Sequence, residues 1–169
     1  NLYGVNVEHY IRINFAGFID IVDALGGVDV YSDQAFTSVG SPGYYDPTTF
    51  VEGWNHLDGK AALAFARERH AVSSGDFSRA AAQRAIISAI ADEVLASPPT
   101  ELPSLVGSLA SCVTTDYTAA ELADTALALK DTGVTVYSAA CPSYSFGEGG
   151  ISYVGTMYDE LSLIHISEP

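Results

Sequence analysis

The sequence predicts an α/β domain. Three observations carry that reading. A strand-like segment, an amphipathic helix, a Gly-Gly stop and a second strand follow one another between Tyr10 and Tyr31. Helical periodicity then returns in several later segments. Near the far end, Val134–Ala139 (VTVYSA) has the β-branched, apolar character of a buried strand.

Tyr10–Phe15 (YIRINF) alternates and is rich in β-formers, which predicts a strand. In GFIDIVDALGG, Phe18, Ile21, Val22 and Leu25 share one helical face, and Gly26–Gly27 ends the helix. Val28–Tyr31 (VDVY) reads as the second strand. From Ser32 to Asn55 the chain looks loop-like, broken by Gly40, Pro42, Gly43 and Pro47 with Tyr44 and Tyr45 between them. Asp58 suits an N-cap for a helix over Lys60–Ala66. A longer helix is expected from Asp76 to Ala96, ahead of Pro98–Pro99. Leu102–Leu109 predicts a short helix. Thr118 caps another, with Leu122, Ala126 and Leu129 on its apolar face. Gly147, Gly149 and Gly150 mark a loop before a short strand at Ile151–Val154.

Composition excludes several classes. The 169 residues suit one domain with a real core, and 48% hydrophobic content rules out a disordered chain. With 7 basic against 21 acidic residues the net charge is −14, which repels a nucleic-acid backbone and an anionic membrane surface alike. No run of about 18 apolar residues is present, and the opening residues do not read as a signal peptide. Cys112 and Cys141 either form a disulfide, worth about 3–4 kcal/mol for a loop of roughly 30 residues, or stay as two thiols. Their spacing fits neither zinc nor a CxxC redox motif. His9, His56 and His70 show no metal spacing. Trp54 reads as a loop anchor, with contact to a glycan as the other reading.

The basic residues are unevenly placed. Four of the seven, Arg67, Arg69, Arg79 and Arg84, fall in ARERHAVSSGDFSRAAAQR (Ala66–Arg84). At 100° per residue, Asp76, Gln83, Ile86, Ile90 and Val94 all lie within about 60° of Arg79, whereas Arg84 falls about 140° away and is expected in solvent. An inward guanidinium must be paired and hydrogen-bonded. A structural ion pair with Asp76 meets that need. So does an anion site, in which Arg67 and Arg69 join Arg79 at a helix N-terminus whose N–H groups also favour phosphate.

The pattern R-x-R, then GD-x-x-R-x-x-x-Q (Arg67, Arg69, Gly75–Asp76, Arg79, Gln83), resembles the signature of the LytR–CpsA–Psr family. FAGFIDIVDALGGVDV and FVEGWNHLDGKAALAFARER resemble the family's flanking blocks, and the resemblance runs from Tyr10 to Glu160. It implies a three-layer α/β/α fold with a mixed central sheet, apparently lacking its N-terminal portion. It implies a phosphotransferase on the extracytoplasmic face of the bacterial cell membrane or in the cell wall. Such an enzyme moves a glycopolymer of teichoic-acid, capsule or arabinogalactan type from a polyprenyl-pyrophosphate carrier to a peptidoglycan acceptor. Asp76 and Arg79 would be catalytic, and Arg67, Arg69, Arg79 and Gln83 would bind the pyrophosphate. Phe65, Ile86 and Ile90 would be shared between core and lipid pocket. Mg²⁺ is implied, with its ligands and a membrane anchor expected in an N-terminal half that precedes Tyr10, so no metal site is expected here and the fragment is expected to be inactive alone. Two positions depart from the family pattern: Ala82 stands where an arginine is common, and Val72 near a common acid. A polyprenyl-phosphate binding module without catalysis and a pyrophosphate hydrolase are the alternatives. Leu161–Pro169 (LSLIHISEP) resembles the translation of a sequencing adapter and is set apart, leaving residues 1–160 as a partial catalytic domain.

Overall fold

The computed structural model describes residues 9–69, 71, 76–132, 143–148 and 151–157. It divides into two units, 1–136 and 137–169. In chain order the first holds β1 (Ile11–Ile13), α1 (Phe15–Ala24), β2 (Val28–Ser32), β3 (Phe36–Thr37), β4 (Thr49–Phe50), β5 (Gly53–Leu57) and α2 (Gly59–Arg67). It continues with α3 (Asp76–Ala96), α4 (Leu102–Leu109), a 3₁₀ turn at Ala110–Cys112, β6 (Val113–Thr115) and α5 (Ala119–Thr132). In the second unit β7 (Ser143–Glu148) and β8 (Ile151–Thr156) pair antiparallel, with Tyr144, Phe146 and Tyr153 in ring contact.

The architecture is mixed α/β. The described strands pair as four antiparallel two-stranded sheets: β1 with β6, β2 with β5, β3 with β4, and β7 with β8. The strand expected at Val134–Ala139 lies outside the described residues, as do Leu161–Pro169 and His70.

Local chemistry explains the helix ends. Asn14 Oδ1 accepts the Gly17 N–H at 2.7 Å and caps α1. The helix stops where Gly26 and Gly27 take φ of 85° and 103°, their N–H groups returning to the Asp23 and Val22 carbonyls. Asp58 caps α2 through Ala61 N at 2.8 Å, as its position predicted. Thr118 and Glu121 form a reciprocal capping box at α5: Thr118 N donates to Glu121 Oε2 at 2.8 Å, and Glu121 N to Thr118 Oγ1 at 3.2 Å.

The stretch from Ser32 to Asn55 is not one loop. It contains β3, β4 and the start of β5. β5 (GWNHL) is composed of weak β-formers apart from Trp54 and Leu57. Its strand character comes from a long-range partner, β2, in the register Val28↔Leu57 to Ser32↔Gly53. β6 and β7 were likewise invisible to local pattern.

The core gathers Val22, Val28, Val30, Phe50, Leu57, Ala62, Phe65 and Ile86, all buried. Phe36, Phe50 and Phe65 contact one another ring to ring, with centroids 4.8 to 5.6 Å apart. Gly59 begins α2 directly against the Ile19 carbonyl of α1, where a Cβ would collide with backbone, so the two helices approach closely only because residue 59 is glycine. Asp23 Oδ1 adds a 2.7 Å bond from Gly59 N. This contact fixes α2, and with it the arginines at its end.

On the outer face of β2–β5, His56 Nδ1 bonds Asp29 Oδ1 at 2.8 Å across the strands. That bond holds the His56 pKa above its ordinary value. A raised folded-state pKa means the pair's contribution to stability is fully present below about pH 6.5, the unfolded value, and disappears as pH rises through the folded value. An NMR titration of the His56 ring should therefore give a midpoint above 6.5, and Asp29→Asn should return it toward 6.5.

Candidate anion site at the end of the second helix

α2 ends because Glu68 leaves helical geometry, with φ −64° and ψ 136°. Its side chain is only 5% exposed, unusual for a carboxylate. Backbone N–H groups account for it. Val39 N donates to Oε2 at 2.7 Å, and Arg69 N and Ala71 N donate to Oε1 at 2.8 and 3.0 Å. One buried acid thus ties the end of α2 to the segment after β3. Sequence reasoning treated this residue as the variable position of R-x-R. The available signal was an acid directly after a helix end and ahead of a turn, where it can collect free N–H groups.

Arg67, one residue earlier, is half buried. Its Nη1 donates to Ser41 Oγ at 3.0 Å. The guanidinium carbon stands 4.5 Å from the Phe15 ring centroid and 5.9 Å from that of Tyr45. Among the described residues no carboxylate lies within ion-pair distance of it. A guanidinium has five N–H donors. One is used on a hydroxyl, and the charge rests on neutral groups in a chain whose net charge is −14. Phe15, Ser41 and Tyr45 were not anticipated as partners. They come from α1 and the Ser32–Asn55 stretch, which no local pattern joins to α2.

Arg67 and Gln83 both line an apolar groove of about 270 Å³, together with Ile13, Phe15, Phe18, Leu63, Ile86 and Ile87. Gln83 Nε2 donates to the Ala66 carbonyl at 3.2 Å, joining α3 to the last turn of α2. Arg79 is half buried one turn before Gln83, and Arg69 is exposed two residues beyond Arg67. The structure therefore brings Arg67 and Gln83 to one groove and leaves Arg69 and Arg79 at the adjoining helix ends. The side chain of Asp76 lies outside the described ones. Arg84 is half buried rather than fully solvated, as a long aliphatic stem permits. The inward stripe of α3 is Ala82, Ile86, Ala89 and Ile90, so Arg79 and Gln83 sit at its edge. On the other side of that stripe, Ser78, Ala81, Ala82 and Ala85 line a second cavity of about 330 Å³ with Tyr31, Asp33, Gln34, Phe65 and Glu68.

Among the described residues, no group of three or more His, Cys, Asp or Glu side chains converges. Cys112 is half buried, and Cys141 lies outside the described residues. No described helix is long and apolar enough to cross a membrane.

Chemically, the groove offers an anion the Arg67 guanidinium and an apolar chain its aliphatic and aromatic lining. Glu68 makes the backbone beside Arg67 rigid. Glu68→Ala should destabilise the fold by about 3 kcal/mol or more in a urea melt, because three N–H groups lose their acceptor. Glu68→Gln keeps an acceptor oxygen and should cost less.

Comparison with known proteins places these features. The LytR_cpsA_psr family model matches residues 1–165. A Bacillus anthracis protein, polyisoprenyl-teichoic acid–peptidoglycan teichoic acid transferase TagU, is 42% identical over 90 residues, which is 53% of this chain and 27% of that protein. The Corynebacterium glutamicum cell wall biosynthesis protein LcpA is 32% identical over 114 residues, 68% of this chain and 21% of that one. Among solved structures, Bacillus subtilis TagU superposes with a TM-score of 0.67 at 28% identity, over 97% of this chain and 64% of that one. B. subtilis TagV gives a TM-score of 0.77 at 23% identity, over 99% and 65%, and so supports the fold alone. The matches span about a quarter of the length of these curated relatives.

Proposed function

The chain belongs to the LytR–CpsA–Psr family, and on that premise we propose that it forms part of a cell-envelope phosphotransferase that moves a glycopolymer from a polyprenyl-pyrophosphate carrier to peptidoglycan. The observation that carries this reading is Arg67: a half-buried guanidinium on neutral partners, with donors to spare, in the lining of an apolar groove. Polyprenyl pyrophosphate has the matching halves, a compact anion and an apolar chain. The relatives named as teichoic acid transferases act on a polyisoprenyl-linked polymer, which supports the same ligand class here.

In this reading the planar fork of Arg67 donates to the phosphate oxygens, with Arg69 and Arg79 adding charge from the adjoining helix ends. Gln83 holds the two helices at the spacing the anion needs. Asp76, at the first position of α3, would orient the arginines. As the acceptor hydroxyl loses its proton to solvent and bonds the phosphorus nearer the glycopolymer, the bridging P–O bond breaks and charge gathers on the departing lipid phosphate. Fixed guanidinium groups in a partly dry site stabilise that charge better than water does. The Mg²⁺ that the family resemblance implies would shield part of the same charge.

Isothermal titration with geranyl pyrophosphate tests the site. Arg67→Ala and Arg79→Ala should each weaken binding by about 10- to 100-fold, the value of one or two hydrogen bonds to a charged group. Arg67→Lys should recover only part, because an ammonium lacks the planar fork. A purely structural Arg–Asp network predicts instead that Arg79→Ala costs about 3 kcal/mol or more of stability without a selective loss of binding. Product analysis on the complete enzyme separates transfer from hydrolysis and from binding alone: polymer joined to glycan, free phosphate, or neither.

A further inference from the structure

From the outer face of β2–β5 we infer that Trp54 and Tyr31 form a stacking platform for a neutral sugar ring of the acceptor glycan. The inference rests on the transferase reading above, and names the place where that reaction's second substrate is held.

Trp54 is 71% exposed and Tyr31 is 53% exposed. Tryptophan is usually mostly buried, so a tryptophan this open is unusual. The expectation of a loop anchor is therefore not met, since Trp54 lies on a strand and presents its ring to solvent. The two residues are direct partners in the strand register, and their rings meet edge to face at 5.7 Å and 78°. That contact presets the rings without covering either one. Next along the same face, Asp29 and His56 are the following exposed pair and supply polar groups at the platform's edge. Asp33 and Gln34 follow directly after β2 at its other end.

These features match a pyranose. Its axial and equatorial C–H groups make an apolar face that packs on an aromatic ring, and its rim of hydroxyls bonds carboxylates and amides. They match an anionic partner poorly. Asp29 on β2, Asp33 just past its end and Glu52 just before β5 are all exposed, and the chain's net charge is −14. A phosphate-rich polymer or an anionic membrane would meet like charge there. Position also fits. Tyr31 lines the 330 Å³ cavity that Glu68 and Ser78 also line. Neighbouring positions of α3 line both spaces, Ala82 this cavity and Gln83 with Ile86 the Arg67 groove, so the platform adjoins the helix that carries Arg79.

Trp54 is the chain's single tryptophan, so its emission reports on the platform directly. The full chain should be titrated with a β-1,4-linked N-acetylglucosamine tetrasaccharide, with geranyl pyrophosphate titrated in parallel. The inference predicts a saturable change in Trp54 emission. Tyr31→Thr, followed by fluorescence, and Trp54→Thr, followed by calorimetry, should each weaken the tetrasaccharide by roughly tenfold or more, with geranyl pyrophosphate affinity kept within about twofold. Threonine keeps the strand, and the retained pyrophosphate binding reports that each variant folds. No saturable response in the wild type, equal tetrasaccharide affinity in the variants, or self-association that shields Trp54 would overturn the platform. Failure of geranyl pyrophosphate to bind the wild type would instead overturn the transferase reading.

Discussion

The Glu68 carboxylate is the interaction on which the site depends. A buried acid is costly unless its oxygens are satisfied, and here three backbone N–H groups from two separate segments satisfy them. The result is geometric. α2 must stop at Arg67, the N–H groups of Arg69 and Ala71 must face the carboxylate, and Val39 must stay beside the helix end. Arg67 is then delivered to the groove side and Glu68 to the cavity side, from adjacent positions. The acid does not neutralise Arg67. It organises backbone, which leaves the guanidinium available to a ligand.

Close backbone contact supports this from below. The Gly59–Ile19 approach brings α1 under α2, and α1 contributes Phe15, whose ring faces the Arg67 guanidinium. A larger residue at 59 would push the helices apart and move Phe15 away from the cation. Packing and the cation–π contact are therefore consequences of one helix pair held at one spacing.

Much of this was legible in the sequence because it is local. Asp58, the Gly26–Gly27 stop, the bounds of α3 and the Thr118 cap each depend on residues within a few positions of one another. The strands β5, β6 and β7 were not legible, since their pairing partners decide them more than their own composition does. The same distinction divides the site. The arginines and Gln83 stood out by charge, spacing and resemblance to a family motif. Glu68 was hidden as an unspecified letter within that motif, and Ser41, Tyr45 and Phe15 reach Arg67 only through tertiary folding. Trp54 was misread for that reason too: a glycine-flanked tryptophan looks like an anchor until β5 turns it outward.

The central claim is that Arg67 and the groove beside it hold the two ends of one ligand. A crystal structure with geranyl pyrophosphate tests this most directly. The account predicts phosphate oxygens within hydrogen-bond distance of the Arg67 guanidinium and the isoprenoid chain lying between Phe15, Phe18, Ile86 and Ile87. A pyrophosphate bound away from Arg67, or a chain running into the Tyr31–Glu68 cavity instead, would contradict it.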